Sequence, residues 1–154
     1  MMIYFDRGKF HAGDISFILP DKCYIDPNPS VIPNGFLLRS LDCDCFDLEV
    51  SVEYYEEDDY KSDFRKQIEE CSRTAEFSDF SVNNLEGISA QYTSYDGRSF
   101  EAVFPVRCER IGYEDEEENV LDILLHVSPS YDFQTALNSP FTQQLLSSLQ
   151  RENA

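Results

Sequence analysis

The clearest strand pattern in the chain lies over residues 46–55. Apolar and polar side chains alternate there with a period of two, which is the period of a strand with one buried face. The apolar set is Phe46, Leu48, Val50, Val52 and Tyr54, and the polar set is Asp47, Glu49, Ser51 and Glu53. We predict a strand whose apolar face packs inside, while its acidic face meets solvent or a positively charged partner.

Shorter patterns predict further strands. Residues 14–20 give a strand that ends at a proline, 36–39 a short strand, 80–85 a weak strand and 120–127 a buried strand. Residues 20–34 contain four prolines and predict a long irregular loop, because proline fixes φ and lacks an amide donor. Long loops of this kind are frequently binding elements.

The strongest hairpin signal lies over residues 88–106, around Tyr95-Asp96-Gly97. A two-residue turn at Asp96-Gly97 would oppose Tyr92 to Glu101. A three-residue loop with Gly97 in the left-handed conformation opposes Tyr92 to Phe100, and gathers the apolar residues of both strands on one face. We therefore predict the three-residue loop, with a bulge at Gly97.

Two helices are predicted from capping residues and helical spacing. Asp58 or Asp59 caps the first helix, which fades near Ala75. Ser139 followed by Pro140 starts a C-terminal helix, and an extra helical turn over 133–137 precedes it. The apolar stripes are Tyr60, Phe64, Ile68 and Cys71 in the first helix and Phe141, Leu145, Leu146 and Leu149 in the second.

The order of these elements predicts one α+β domain over residues 1–154, with its core over about 14–150. In this class of fold, helices flank an antiparallel sheet. The order and spacing resemble the PsbP-like superfamily. The segments that carry the resemblance are ISFILP, FDLEVSVEYYEEDDYKSDFRKQIEE, GISAQYTSYDGRSFEAVF, NVLDILLHVS and SPFTQQLLSSL.

The PsbP-like superfamily includes the extrinsic oxygen-evolving subunit of photosystem II, a Ran-binding nuclear import factor and bacterial proteins of unassigned role. The resemblance implies an α/β/α sandwich around an antiparallel sheet. It also implies a non-catalytic, protein-binding role. It assigns no functional residue to this chain, because the relatives bind different partners through different surfaces.

Charge narrows the choice of partner. The formal net charge is −18 over 154 residues, so phosphate backbones and anionic membrane surfaces would be repelled. No apolar run approaches the length of a membrane span. We expect a protein partner, favoured when it is basic, and neither nucleic acid nor membrane as a partner.

Cysteine use and the N-terminus bear on the compartment. The five cysteines are an odd number without regular spacing, which indicates free thiols in a reducing environment. The N-terminal segment lacks the apolar stretch of a signal peptide. We therefore expect a cytoplasmic protein.

Two acidic runs with neighbouring tyrosines form the predicted partner-binding surface. A tyrosine beside carboxylates can grip a Lys or Arg side chain through its ring and its charged neighbours. The alternative is that the tyrosines border the core with their hydroxyls in water. The predicted contact residues are Glu53, Tyr55, Glu56, Glu57, Asp58, Tyr113, Glu114, Glu116 and Glu117.

The candidate chemistry is sparse. Cys43 and Cys45 lie among carboxylates, but a structural zinc site needs four ligands and usually Cys-x-x-Cys spacing. His126 lies in an apolar run, where a histidine is usually structural. We predict a non-enzymatic protein without cofactor or metal that binds through an acidic surface. The alternatives are an acidic chaperone or immunity-type protein that neutralises a basic effector, and a thiol- or metal-dependent enzyme that uses Cys43 and Cys45.

Overall fold

A computed structural model gives the fold and describes residues 3–26, 32, 34–55, 59–107 and 118–152. The described residues form eleven strands and three helices. In chain order they are β1 (Ile3–Asp6), β2 (Lys9–Ala12), β3 (Ile15–Phe17), β4 (Cys23–Ile25), β5 (Gly35–Ser40), β6 (Phe46–Tyr55), α1 (Tyr60–Cys71), β7 (Glu76–Val82), β8 (Leu85–Ser94), β9 (Gly97–Val106), β10 (Glu118–Val127), α2 (Phe133–Leu137), α3 (Pro140–Ser148) and β11 (Gln150–Arg151).

The strands make two antiparallel sheets, so the predicted α+β class is wrong. The large sheet has seven strands in the order β4-β5-β6-β10-β9-β8-β7, and the small sheet has four in the order β1-β2-β3-β11. The described helices are short, and more than half of the described residues lie in strands. The large sheet is not flanked by helices alone, because the small sheet packs against one of its faces. The arrangement is therefore not an α/β/α sandwich.

The large sheet separates two apolar cores. On one face, its strands pack against the small sheet, α2 and α3, through residues such as Phe17, Phe104 and Leu145. On the other face, Phe64 and Ile68 of α1 pack against residues of β8, β9 and β10. Both faces of the middle strands therefore carry buried apolar side chains.

Several sequence predictions are confirmed. β6 spans residues 46–55 as predicted, and β5 contains the predicted strand over 36–39. The α1 helix is capped by Asp59, whose carboxylate accepts a hydrogen bond from the Lys61 amide at 3.1 Å. The α3 helix has Ser139 as its cap and Pro140 in its first turn.

The predicted hairpin register is wrong. In the structure the β8–β9 turn consists of Tyr95 and Asp96 alone, and Ser94 pairs with Gly97. Phe100 consequently pairs with Gln91 rather than Tyr92. Our prediction assumed that only one face of this hairpin is buried. Because both faces are covered, the two apolar sets lie on opposite faces.

The sequence analysis also missed short strands. β1 and β2 form a hairpin whose turn residues Arg7 and Gly8 both have positive φ, at 55° and 80°. An Arg-Gly pair is a weaker turn signal than Asn-Gly, and four-residue strands show little periodicity. β4 lies inside the predicted irregular loop over 20–34, of which residues 27–31 and 33 lie outside the described residues.

Candidate functional site: an acidic face of the large sheet

On one face of the large sheet, β6, β9 and β10 carry five carboxyl groups among their described side chains, beside the area that α1 packs against. The α1 helix packs near Ile88, Val103 and Val120, at one side of this face. The strand register places the five acids on the same face, because paired residues of adjacent strands share a face. We call this set the acidic sheet face: Asp47, Glu49 and Glu53 of β6, Glu101 of β9 and Asp122 of β10.

Asp122 lies at the centre of the acidic sheet face. It is paired with Ser51 on β6 and with Val103 on β9. Residues two positions along a neighbouring strand are its diagonal neighbours, about 7–8 Å away and within reach of long side chains. Three of these neighbours are glutamates, namely Glu49, Glu53 and Glu101. Four acids on three different strands are therefore neighbours on this face of the sheet.

Hydrogen bonds link part of this cluster. The Tyr92 hydroxyl donates to Glu101 Oε1 at 2.7 Å, and the Ser51 hydroxyl donates to Glu53 Oε1 at 3.2 Å. Asp122 Oδ1 is shut off from solvent and has no hydrogen-bond partner among the described residues.

Burial and nearby negative charges make two of these acids, Glu49 and Asp122, hold their protons more tightly. The pKa of Asp122 is raised well above its ordinary value, by burial first and then by Glu101, Glu53 and Glu49. Burial also raises the pKa of Glu49, with further contributions from Asp47 and Glu101. The pKa of a buried acid rises because low-polarity surroundings and nearby negative charges both disfavour its ionised form.

The positive groups near the face lie at one end of it. Arg39 Nη1 is 3.5 Å from Asp47 Oδ2, and its Nε donates to Asp26 at 3.1 Å. His126 lies beside Asp47 in the register and shares a hydrogen bond of 3.2 Å with Ser99. Within the described ranges, no Lys or Arg forms an ion pair with any of the four converging acids, Glu49, Glu53, Glu101 or Asp122.

The predicted contact residues have different outcomes. Glu53 is exposed and belongs to the acidic sheet face. We expected the Tyr55 ring on the surface, but Tyr55 is 3 % exposed and packs in the core under α1. Its neighbour Tyr54 is 48 % exposed. Burial, followed by the charges of Asp122 and Glu101, raises the pKa of Tyr55. The others lie outside the described residues: Glu56, Glu57, Asp58, Tyr113, Glu114, Glu116 and Glu117.

The sequence analysis missed Asp122 and Glu101. A signal for both was present, since each is an acid that interrupts an apolar segment. Asp122 lies between Leu121 and Ile123, and Glu101 lies between Phe100 and Ala102. An acid inside a strand that is buried on both faces costs free energy and therefore calls for an explanation.

The cysteine loop before β6 offers little for metal binding. Cys43 and Cys45 are free thiols and partly buried. The pKa of Cys45 is raised by partial burial and by the neighbouring Cys43 and Asp44. The raised pKa opposes formation of the reactive thiolate. No group of three or more potential metal ligands occurs in the part of the chain that the structure describes.

The longest described helix, α1, has 12 residues, and none of the described helices is long and apolar enough to cross a membrane. The sequence matches no family model. No curated protein shows a significant match to it. The resemblance to the PsbP-like superfamily therefore stays a prediction from the sequence.

Proposed function

We propose that the protein is a non-enzymatic binding protein that docks a cationic surface of another protein on its acidic sheet face. The observation that carries the proposal is that Glu49, Glu53, Glu101 and Asp122 are neighbours on one sheet face and form no ion pair with a Lys or Arg among the described residues. A positively charged group from a partner would complete this arrangement.

The cluster is costly for the isolated protein, which favours a functional explanation. Like charges at neighbouring positions of a sheet repel one another, most strongly where they are partly buried. A buried carboxyl oxygen without a hydrogen-bond partner, such as Asp122 Oδ1, costs about 1–3 kcal/mol. Natural sequences break local rules of stability mainly at functional sites. A solubilising role would need only exposed acids, whereas Asp122 is directed into the cluster.

The overall charge supports the same partner chemistry. A net charge of −18 attracts cationic proteins over distances of about 10 Å at moderate ionic strength and speeds their encounter. Complementary charge of this kind contributes more to the association rate and to partner choice than to affinity. The acidic sheet face would then bind the partner that the negative charge of the whole protein attracts.

Neutralising two acids of the face is expected to weaken binding of a cationic probe. The probe is fluorescein-labelled deca-arginine, and its Kd is measured by fluorescence anisotropy at low and high salt. Because each partly exposed ion pair contributes up to about 1 kcal/mol, Glu49→Gln with Glu53→Gln should raise the Kd about tenfold. Added salt should weaken binding to the wild-type protein.

The matched control changes Glu69→Gln and Glu70→Gln on the exposed side of α1. It removes the same two charges without touching the acidic sheet face, so we expect its Kd to change less than about twofold. Equal weakening by both double variants would mean that only net charge matters, and would contradict the proposal.

A further inference from the structure

We infer that a cavity beside the β8–β9 turn binds a small aromatic carboxylate, with Arg98 as the partner of the carboxylate. The cavity lies at one end of the large sheet, where that turn meets the segment between β10 and α2. No residue of the acidic sheet face lines it. The inference therefore goes beyond the proposed function and does not rest on it.

The cavity has the size and lining of a small-molecule site. Its volume is about 370 Å³, which lies near the lower end of the range for ligand pockets, about 300–1,000 Å³. Such pockets combine apolar and aromatic walls with a few polar groups that orient the ligand. The apolar part of this wall includes Tyr95, Pro129 and Tyr131, and the polar part includes Ser94, Ser128 and Gln134.

The wall that the β8–β9 turn forms is set by close backbone packing. Gly97 has a φ of 150°, and a Cβ at this position would collide with the backbone carbonyl oxygen of Val127, the last residue of β10. The Ser94 hydroxyl donates to Asp96 Oδ1 across the turn at 2.6 Å. This wall therefore owes its position to contacts within the protein, and no ligand is needed to form it.

Arg98 supplies a positive charge that is oriented but not paired. Its guanidinium carbon lies over the Phe133 ring, 4.6 Å from the ring centroid. Phe133 is buried in the core, so the ring that supports the guanidinium is fixed in place. Within the described residues, the guanidinium of Arg98 has no hydrogen bond and no ion pair. Its five donors are therefore available to a ligand.

The other charged side chain that lines the cavity, Asp132, already has hydrogen-bond donors. Its Oδ2 accepts from the Thr135 amide at 2.9 Å and from the Thr135 hydroxyl at 2.7 Å, as the cap of α2. Among the described residues, neither Asp132 nor any other acid forms an ion pair with Arg98. An incoming carboxylate would not have to displace one.

An aromatic carboxylate matches these groups in both of its parts. The planar fork of a guanidinium binds a carboxylate through two parallel hydrogen bonds. Tyr95, which is 99 % exposed, and the half-buried Tyr131 offer rings to the apolar part of the ligand. Aromatic rings favour one another in offset-stacked or edge-to-face contact. The volume suits an acid with a single ring.

Protein NMR titrations with three probes test the site. Benzoate has both parts, benzamide lacks the charge and acetate lacks the ring. The titrations are run at pH 7 and an ionic strength of about 0.15 M, where repulsion by the net charge of the protein is screened beyond about 8 Å. We expect saturable amide shift changes with benzoate at Ser94, Gly97, Arg98 and Phe133. Benzamide and acetate should each bind about tenfold more weakly.

Substitutions of arginine separate the site from general charge. Arg98→Gln should raise the Kd of benzoate about tenfold, and Arg98→Lys should give an intermediate Kd, because it keeps the charge without the fork. The matched control is Arg65→Gln on α1, where Arg65 lies 6.0 Å from the Phe77 ring centroid. Its Kd should change less than about twofold. Both arginines are exposed, and the spectra of the unliganded variants check their fold.

The remaining outcomes overturn the inference. Absence of saturable benzoate binding to the wild type, or shift changes centred elsewhere, would remove the site. Acetate binding as tight as that of benzoate would leave only an exposed cation. Benzamide binding as tight as that of benzoate, or equal Kd values for Arg98→Gln and Arg65→Gln, would mean that Arg98 only covers Phe133. None of these results bears on deca-arginine binding by the acidic sheet face.

Discussion

Ile88→Ala and Phe104→Ala are each expected to destabilise the protein strongly. Both side chains are completely buried, but they lie on opposite faces of the large sheet. Truncation should lower the free energy of unfolding by about 2–5 kcal/mol for Ile88 and about 3–5 kcal/mol for Phe104, since each leaves a cavity in a packed core. Urea denaturation followed by circular dichroism measures both changes.

Tyr95→Ala is the control for this pair, because Tyr95 is 99 % exposed at the hairpin turn. We expect its free energy of unfolding to stay within about 0.5 kcal/mol of the wild type. An Ile88→Ala variant as stable as the control would contradict the second core under α1.

Asp122→Asn is expected to stabilise the protein at neutral pH, by about 1–3 kcal/mol, because it removes a carboxyl from a buried, repulsive site. The native pKa of Asp122 is raised, whereas the pKa of an unfolded Asp is about 3.9. Between these two values the native state binds more protons than the unfolded state. The stability contributed at this site therefore falls as the pH rises through that window.

Urea titrations at a series of pH values check the sign of this effect. The wild type should lose stability between the unfolded pKa and the raised native pKa, and Asp122→Asn should lose less over the same interval. Asp42→Asn, at an exposed position, makes the same change of charge and should leave the pH profile close to that of the wild type. An Asp122→Asn variant that is less stable than the wild type at pH 7 and has the same dependence of stability on pH would contradict an acid-rich, desolvated environment for Asp122.

Local sequence signals were sufficient to predict the elements that have a long periodic pattern or a capping residue. β6 alternates over ten residues, and α1 and α3 each have a side-chain cap at Asp59 and Ser139. These features depend on neighbours in sequence, so the sequence contains them. β1 and β2 are too short for such a signal, and without them the second sheet could not be predicted.

The hairpin shows why register needs tertiary information. The sequence pattern has two apolar sets, one with Ile88 and one with Phe104, and our prediction placed them on one face. The structure separates them, since α1 covers one face and the small sheet with α2 and α3 covers the other. A slip of one residue exchanges the faces, and only knowledge of the covering elements decides between the registers.

The candidate site was predictable only in part for the same reason. We searched for acids that are clustered along the chain and found Glu53 at the start of one run. The acidic sheet face instead collects acids from β6, β9 and β10, which are far apart in sequence. Their convergence on Asp122 depends on strand order and register, and neither is visible in local composition.

An NMR titration of ¹⁵N-labelled protein with deca-arginine tests most directly whether the acidic sheet face binds a cationic partner. We predict that the largest amide shift changes lie in β6, β9 and β10, centred on Glu49, Glu101 and Asp122. Shift changes spread evenly over the acidic surface, or confined to the exposed side of α1 around Glu69 and Glu70, would contradict the account.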